Sequence, residues 1–529
     1  MEKNDKSTQN GNVLLVLVAM VLGVLMGLMF SQSLRRPSTS AALPGKMDEV
    51  LRLVQKNYVD TVDIDSLDEG LVRVMLNELD PHSTYLSVRE SERNDEMMRG
   101  NFEGVGLVIH YEGDSTYVGQ VMAGGPSDGL GMLPGDMIVS IDGEPVCGVG
   151  MTGDSVVARL RGPRRTRVAI EVERCGKRLS FNVMRGVVDR PSLSLATMLD
   201  DTTGYIQLSS FTSTSHHEFR QALRQLKGQG MRHLVFDLRG NGGGSLQSAV
   251  GIAGELLPAG SPILYTQGAH SRRQDVMSRG GGLFSSGRVT VMVDEGSASA
   301  SEVVAGALQD NDRAVVAGRR TFGKGLVQTG YDLSDGSSLL LTTARYYTPS
   351  GRCIQRSYDE GTDEYYRSYM QLLIDETYAD STVASIRDST PYYTVGGRTV
   401  YGGGGIIPDV LLSYRHDSTL VYYNRLSATG LFSRVAFGHV KRHAAELLAR
   451  YPDADTFVAR FRVDDALVQE LVQRAAAAGV PRNPQGLKAQ RHLIDNLLKA
   501  YIAQSLYGDS SFYRVLLIED EDLKKIRTR

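Results

Sequence analysis

The sequence predicts a multidomain α/β protein, and length, strand–helix alternation and a change of texture along the chain carry that expectation. At 529 residues the chain exceeds a single core and has room for three or four domains of about 100 to 200 residues each. From about Thr203 strand-like apolar runs alternate with amphipathic helical stretches, the pattern of a layer with buried parallel strands. Ahead of that layer lie short β-type runs broken by glycine, and beyond Tyr422 the pattern is largely helical. A net charge of −3 offers no basic field, which argues against nucleic acid as a partner. The 57 glycines point to many tight turns or close backbone approaches. Cys147, Cys175 and Cys353 are odd in number and widely spaced, so they read as structural thiols, not as a zinc cluster; a Cys147–Cys175 pair stays open.

In chain order, residues 1–12 precede an uncharged stretch, Val13 to Phe30, with Lys3 and Lys6 on one side and Arg35-Arg36 on the other. This 13–30 segment reads as a retained transmembrane signal anchor, because the small-residue cleavage candidate at Ser40-Ala41-Ala42 lies well beyond it. The flanking charges leave its orientation open. A polar linker (31–45) leads to a helical arm (46–99), where Met47 to Leu79 carries helical spacing that stops before Pro81. Residues 100–186 form a β-rich domain with runs at Val105 to His110, Thr116 to Val121, Met137 to Ile141, Val168 to Glu173 and Leu179 to Val183. The α/β layer occupies 187–415, with strands at Gly204 to Leu208, His233 to Leu238 and Val289 to Val293 and helices at Glu218 to Leu226, Ser248 to Leu257 and Ser299 to Gln309. A helical C-terminal region (416–529) closes the chain and has no role legible in its residues.

Three stretches of the layer carry chemistry. His233 to Asp237 runs into Leu238-Arg239-Gly240-Asn241-Gly242-Gly243-Gly244-Ser245, a glycine-rich turn at a strand end that opens a helix and presents backbone N–H groups to an anion. The plain alternative is a turn that needs positive φ. Ser299, in Glu295-Gly296-Ser297-Ala298-Ser299-Ala300-Ser301-Glu302, falls at a helix start, where free N–H groups and the helix dipole favour an oxyanion. Taken alone, the same serine reads as a cap, with Glu302 completing a capping box. Lys324 follows Gly318 at P-loop spacing, yet Gly325 stands where a Mg²⁺-binding hydroxyl is needed and the next residues read as strands, so nucleotide binding does not fit. A lysine serves as a base only when neutral; its pKa of about 10.4 must fall by roughly three units, about 4 kcal/mol, and burial in apolar surroundings supplies such a shift. No acidic residue precedes Lys324 until Asp312, and no histidine lies between His270 and His416. Gln328, four residues on, returns to the face of Lys324 and is placed to orient it.

With Leu79-Asp80-Pro81-His82-Ser83-Thr84-Tyr85-Leu86, Phe102-Glu103-Gly104-Val105-Gly106 and Leu341 to Arg352, these stretches make the chain resemble the carboxy-terminal processing, or tail-specific, serine peptidases from about Tyr58 to Val410. The resemblance implies a ClpP/crotonase-like α/β core with an inserted PDZ domain. It implies Ser299 as nucleophile, Lys324 as general base, Gln328 as the residue that positions the lysine, and the N–H groups of Gly244 and Ala300 as oxyanion hole, with no metal or cofactor. Gly104, Val105, Gly106 and Leu107 then match the PDZ loop that holds a peptide's C-terminal carboxylate. Arg161, at the end of that module, reads either as a solvated surface arginine or as a residue that latches the module to the core by paired hydrogen bonds when substrate is bound. The partners implied are proteins or peptides with a free C-terminus, and the implied location is a bacterial inner membrane, with residues 1–12 cytoplasmic and the catalytic domains periplasmic. Homo-oligomerisation and the cut substrates stay open, and a PDZ scaffold that binds C-termini without cutting them is the alternative.

Overall fold

A computed structural model describes residues 45–374, 390–412 and 420–527; the expected anchor, 13–30, lies outside them. Among the described residues no helix is long and apolar enough to cross a membrane. The chain divides into two compact units, Met1–Val74 and Met75–Arg529. The helical arm is interrupted: α1 (Lys46–Asn57) and α2 (Ile64–Asn77) are separate helices, and a further helix, α3 (Val88–Arg99), follows β1 (Thr84–Leu86). Ser87 starts α3, its N–H and hydroxyl both donating to Glu90 at 2.8 Å, and Gly100 ends it in the left-handed region.

The β-rich module hangs on a two-stranded neck. β2 (Asn101–Gly104) enters it and pairs antiparallel with β9 (Gly186–Asp189), which leaves it, so both ends of the insertion meet at one place. Between them β3 (Leu107–Glu112), β4 (Ser115–Val121), β5 (Met137–Ile141), β7 (Arg167–Arg174) and β8 (Lys177–Met184) form an antiparallel sheet in that order; the short β6 (Glu144–Pro145) pairs with β5, and α4 (Gly153–Leu160) packs on the sheet's core. β3 is an edge strand, with one side of its backbone unpaired in the sheet.

The α/β layer is a six-stranded sheet in the order β10 (Leu193–Met198), β11 (Thr203–Leu208), β12 (His233–Asp237), β15 (Arg288–Val293), β16 (Val315–Gly318), β21 (Val410–Leu411). Apart from antiparallel β10 it is parallel throughout. Side chains alternate across it. Ile206, Leu208, Leu234, Phe236, Val289 and Val291 face the core under α5 (Ser215–Gly228), α6 (Leu246–Leu256) and α7 (Ala300–Asp310). Tyr205, Val235, Met292 and Ala317 face the other way and pack on Leu523 and Ile526 at the end of the chain. A second sheet joins β1, β13 (Pro262–Gln267), β14 (Gln274–Met277), β17 (Leu326–Asp332) and β18 (Ser338–Tyr347), so Lys324 is followed by a strand, not by the helix a P-loop requires. α8 (Thr362–Ile374) and the hairpin β19 (Pro391–Tyr393) and β20 (Thr399–Tyr401) complete this part.

The C-terminal helices have their own apolar core, which includes Phe432, Val435, Val440, Leu471, Ile494 and Leu498. One of them, Leu431–Arg450, also lies on the β-rich module: Phe437 packs 4.0 Å from the His110 ring, and the Lys441 ammonium sits 3.8 Å over Tyr117. The cysteines are free, Cys147 and Cys175 included.

Candidate active site

β12 and β15 end side by side, and the loops that follow them are stitched together. Asp294 accepts the N–H groups of Gly240 at 2.8 Å and Gly296 at 3.0 Å. The buried Ser297 hydroxyl donates to the Leu238 carbonyl at 2.8 Å. These bonds deliver Ser299 to the start of α7 with φ 54° and ψ −111°. A non-glycine residue held there costs about 1–3 kcal/mol, which the surrounding packing must over-determine. The Ser299 side chain makes no cap hydrogen bond, so helix capping does not account for it. The carboxylate half of the expected capping box does form, since Glu302 accepts the Ser299 N–H at 2.8 Å.

The glycine turn lies against this serine. A Cβ on Gly243 would stand 2.9 Å from the Ser299 Cβ and 3.0 Å from the Ala300 nitrogen, and one on Gly244 would stand 2.1 Å from the Phe211 carbonyl oxygen, so close approach and positive φ (101° and 133°) both require glycine there. Phe211 N–H donates to the Gly243 carbonyl and Ser245 N–H to the Phe211 carbonyl, which orients the turn. The N–H groups of Gly244 and Ala300 donate to nothing among the described residues. Asn241, fully buried, fixes the arrangement: its amide donates to the Leu208 carbonyl at 2.8 Å, its side-chain oxygen accepts Gly243 N–H at 2.9 Å, and its carbonyl accepts Ala298 N–H and the Ser301 hydroxyl.

Lys324 Nζ donates to Gln328 Oε1 at 2.6 Å, and Gln328 Nε2 donates to the His82 carbonyl at 2.6 Å. Burial lowers the lysine's pKa below its ordinary value, against the carboxylates of Asp80 and Glu302, which favour the charged form. The sequence gap without acids is therefore closed in space. Glu302 is fully buried and accepts four bonds: Ser299 N–H and Lys324 N–H on one oxygen, Gly323 N–H and the Thr321 hydroxyl on the other, at 2.6 to 2.8 Å. Burial raises the Glu302 pKa, and those four bonds oppose the rise. A carboxylate thus occupies the backbone cradle that a P-loop would offer to phosphate. Tyr346 links the same two segments, its hydroxyl donating to the Lys324 carbonyl at 2.9 Å and lying 3.3 Å from that of Ser299.

Histidine is also near, from a part of the chain remote in sequence. The His82 ring is hydrogen-bonded to Tyr365 at 3.0 Å, and burial, assisted by the charge on Lys324, lowers its pKa to about 4. Its segment is held by Asp80, which accepts the N–H groups of His82 and Ser83 at 2.8 Å. Burial raises the Asp80 pKa, but the Ser83 hydroxyl at 2.6 Å, these N–H groups and the Thr342 hydroxyl together outweigh it and leave it below the ordinary value. Behind the lysine loop, Arg356 is boxed by Phe322, Tyr365 and Tyr369. The run Gly402-Gly403-Gly404-Gly405 leads into Ile406, which also braces this loop, Ile406 N–H donating to the Thr321 hydroxyl and Thr321 N–H to the Ile406 carbonyl. Sequence reasoning missed Asn241, Glu302 beyond its capping role, His82 and Tyr346. A buried-type Asn inside a glycine run and an acid three residues after Ser299 were the legible signals.

In the β-rich module, Gly104 ends β2, Leu107 begins β3, and Gly106 has φ 73° against Pro126. Val105 is buried in the module's core, its carbonyl accepting the Ser127 hydroxyl at 2.7 Å. Arg161 reaches out of the module to Glu96 of α3 at 2.5 Å and over the Phe102 ring, so the partner it meets is on the segment leading into the module.

The profile of peptidase family S41 matches residues 202–363, that of the PDZ domain residues 117–174, and that of a family of unknown function residues 422–508. A carboxy-terminal-processing protease of Bartonella bacilliformis is 33% identical over 319 residues, 59% of this chain and 72% of the relative. The chain belongs to the carboxy-terminal processing protease family. A second such protease, from Synechocystis, is 37% identical over 296 residues, 54% of this chain and 68% of the relative. The structure of a photosystem II D1 C-terminal processing protease aligns over 70% of this chain and 87% of its own at 27% identity and a TM-score of 0.34. As a member of this family the chain is a serine-type peptidase, built as a multidomain α/β protein that includes a PDZ domain.

Proposed function

We propose that this carboxy-terminal processing protease cuts peptide bonds with Ser299 as nucleophile and Lys324 as its base, on proteins whose C-termini its PDZ domain holds. The reading rests above all on the strained backbone of Ser299, set beside two unused N–H groups and joined through Glu302 to a half-buried lysine. Neutral Lys324 takes the Ser299 proton as the hydroxyl attacks the substrate carbonyl. The N–H groups of Gly244 and Ala300 receive the negative charge that develops on the carbonyl oxygen, a contribution worth about 3 kcal/mol per donor in such sites. Lys324 then returns the proton to the leaving amine, and water, activated by the same lysine, releases the acyl group. Gln328 spans Lys324 and the His82 carbonyl and keeps the amine from drifting.

Substrate selection is assigned to the loop Gly104, Val105, Gly106 and Leu107, with the free edge of β3 accepting a peptide as an added strand. The uncharged 13–30 segment is the proposed anchor in a bacterial inner membrane, with the domains beyond it in the periplasm. Protein lacking residues 1–36 is expected to cleave denatured casein, and Ser299→Ala and Lys324→Ala are each expected to reduce cleavage to background. Cleavage that persists in both variants sinks the dyad, and a wild type that binds C-terminal peptides without cutting any protein points to a scaffold.

A further inference from the structure

The end of the chain reaches the active site from behind. The short helix Glu521–Arg527 is docked by Leu523 and Ile526 on the back of the core sheet, against Tyr205, Val235, Met292 and Ala317. That contact places two acids beneath the loops at the sheet's carboxyl edge. Asp520 Oδ2 lies 2.6 Å from Arg239 Nη2, and Asp522 Oδ2 lies 3.7 Å from Arg239 Nη1 and 3.5 Å from Arg319 Nη1. Arg239 begins the glycine turn that ends at Gly244. It is also clamped to Asp237 of β12, whose second partner is the Tyr205 hydroxyl at 2.6 Å. Arg319 begins the loop that carries Lys324, and its Nε holds Glu295, at the start of the Ser299 loop, at 2.8 Å. One network therefore touches the base of each of the three segments assigned to the oxyanion hole, the base and the nucleophile.

The four side chains that make it, Arg239, Arg319, Asp520 and Asp522, are at most 20% exposed, so solvent does not screen the pairs as it would at the surface. Apolar docking alone would fix the tail on the sheet. It would not explain why Asp520, one oxygen of which caps the helix at Leu523 N–H, turns the other to Arg239, or why Asp522 meets both Arg239 and Arg319, the arginines that open the two loops.

We propose that Asp520 and Asp522 are positioning residues for catalysis: a C-terminal clasp that sets the glycine turn and the lysine loop in register with Ser299. The proposal rests on the Ser/Lys reading and adds to it a dependence on the last helix. It predicts a defect in turnover with substrate binding spared, since a displacement of about 1 Å costs on the order of a hundredfold in rate.

The test uses the full chain, purified in detergent. Asp520→Asn/Asp522→Asn is compared with wild type for kcat, KM and thermal melting, beside Asp520→Glu/Asp522→Glu and Arg527→Ala, which removes a tail pair to Asp200 remote from the loops. The expected result is a drop in kcat of roughly tenfold or more with KM within about twofold, substantial recovery in the double Glu variant, and wild-type kcat in Arg527→Ala. If the double Asn variant melts early, the single Asp522→Asn variant is read at a temperature where it is folded. An unchanged kcat in a folded Asn variant, a change confined to KM, or an equal loss in Arg527→Ala overturns the clasp. Failure of the dyad is distinguished by Ser299→Ala, which would then retain activity whatever the clasp does.

Discussion

Ser299 and Lys324 are each explained by what surrounds them. A serine at φ 54° and ψ −111° stores strain that an ordinary helix cap does not need, and Glu302 converts that local cost into a link between Ser299 and Lys324. Their motifs singled out both residues in the sequence, and the roles proposed for them came with the family resemblance. Glu302's second role was not, because a residue's burial and its partners from another loop leave no local mark in the sequence. The lowered pKa of Lys324 has a consequence for stability. Between the folded pKa and the unfolded value of 10.5 the unfolded chain binds more protons, so this group's contribution makes the protein more stable as pH rises through that window. Lys324→Met removes the penalty. The variant is expected to melt above the wild type near neutral pH, with the gap closing as pH approaches 10.5. A gap that does not change with pH would mean the lysine is not held against its charge.

Strand and helix order in the layer follows from alternation in the sequence, because buried parallel strands and amphipathic helices have distinct periods. Expected ends of the central strands and helices fall within a few residues of the observed ones, as with Val289 to Val293 against Arg288–Val293. α3 lies inside the expected helical arm (46–99) but beyond the Met47 to Leu79 spacing that carried it: its sequence, VRESERNDEMMR, is strongly polar and buries no residue, so no apolar stripe marks its bounds. The arm's break into two helices was likewise invisible, since apolar spacing continues across Tyr58 to Asp63. At the glycine turn, composition indicated positive φ and the structure adds the contact that makes it obligatory. Gly244→Ala sets a methyl group 2.1 Å from the Phe211 carbonyl oxygen and must displace the turn. Its kcat is expected to fall by about 10²–10³, the loss typical of removing one oxyanion donor, while peptide affinity at the PDZ loop stays unchanged. A variant with near-normal kcat would remove Gly244 from the oxyanion role.

Across the whole molecule, the division into a β-rich insertion, an α/β layer and C-terminal helices was legible from changes in periodicity. What the helical end does was not, because its contacts are long-range. Leu431–Arg450 packs on the outer face of the PDZ sheet through Phe437 and Lys441, and the last helix packs on the back of the core sheet. The same region therefore touches both the domain assigned to substrate capture and the domain assigned to cutting. Arg161, expected to latch the module to the core when substrate is bound, pairs with Glu96 on the segment before the neck. The dyad is tested most directly by covalent labelling of the chain lacking residues 1–36 with a fluorophosphonate, followed by peptide mapping by mass spectrometry. The account predicts a single adduct on Ser299 whose formation rate rises with pH below the ordinary lysine range and collapses in Lys324→Ala. An adduct on another residue, or labelling of Ser299 at an undiminished rate without Lys324, would contradict it.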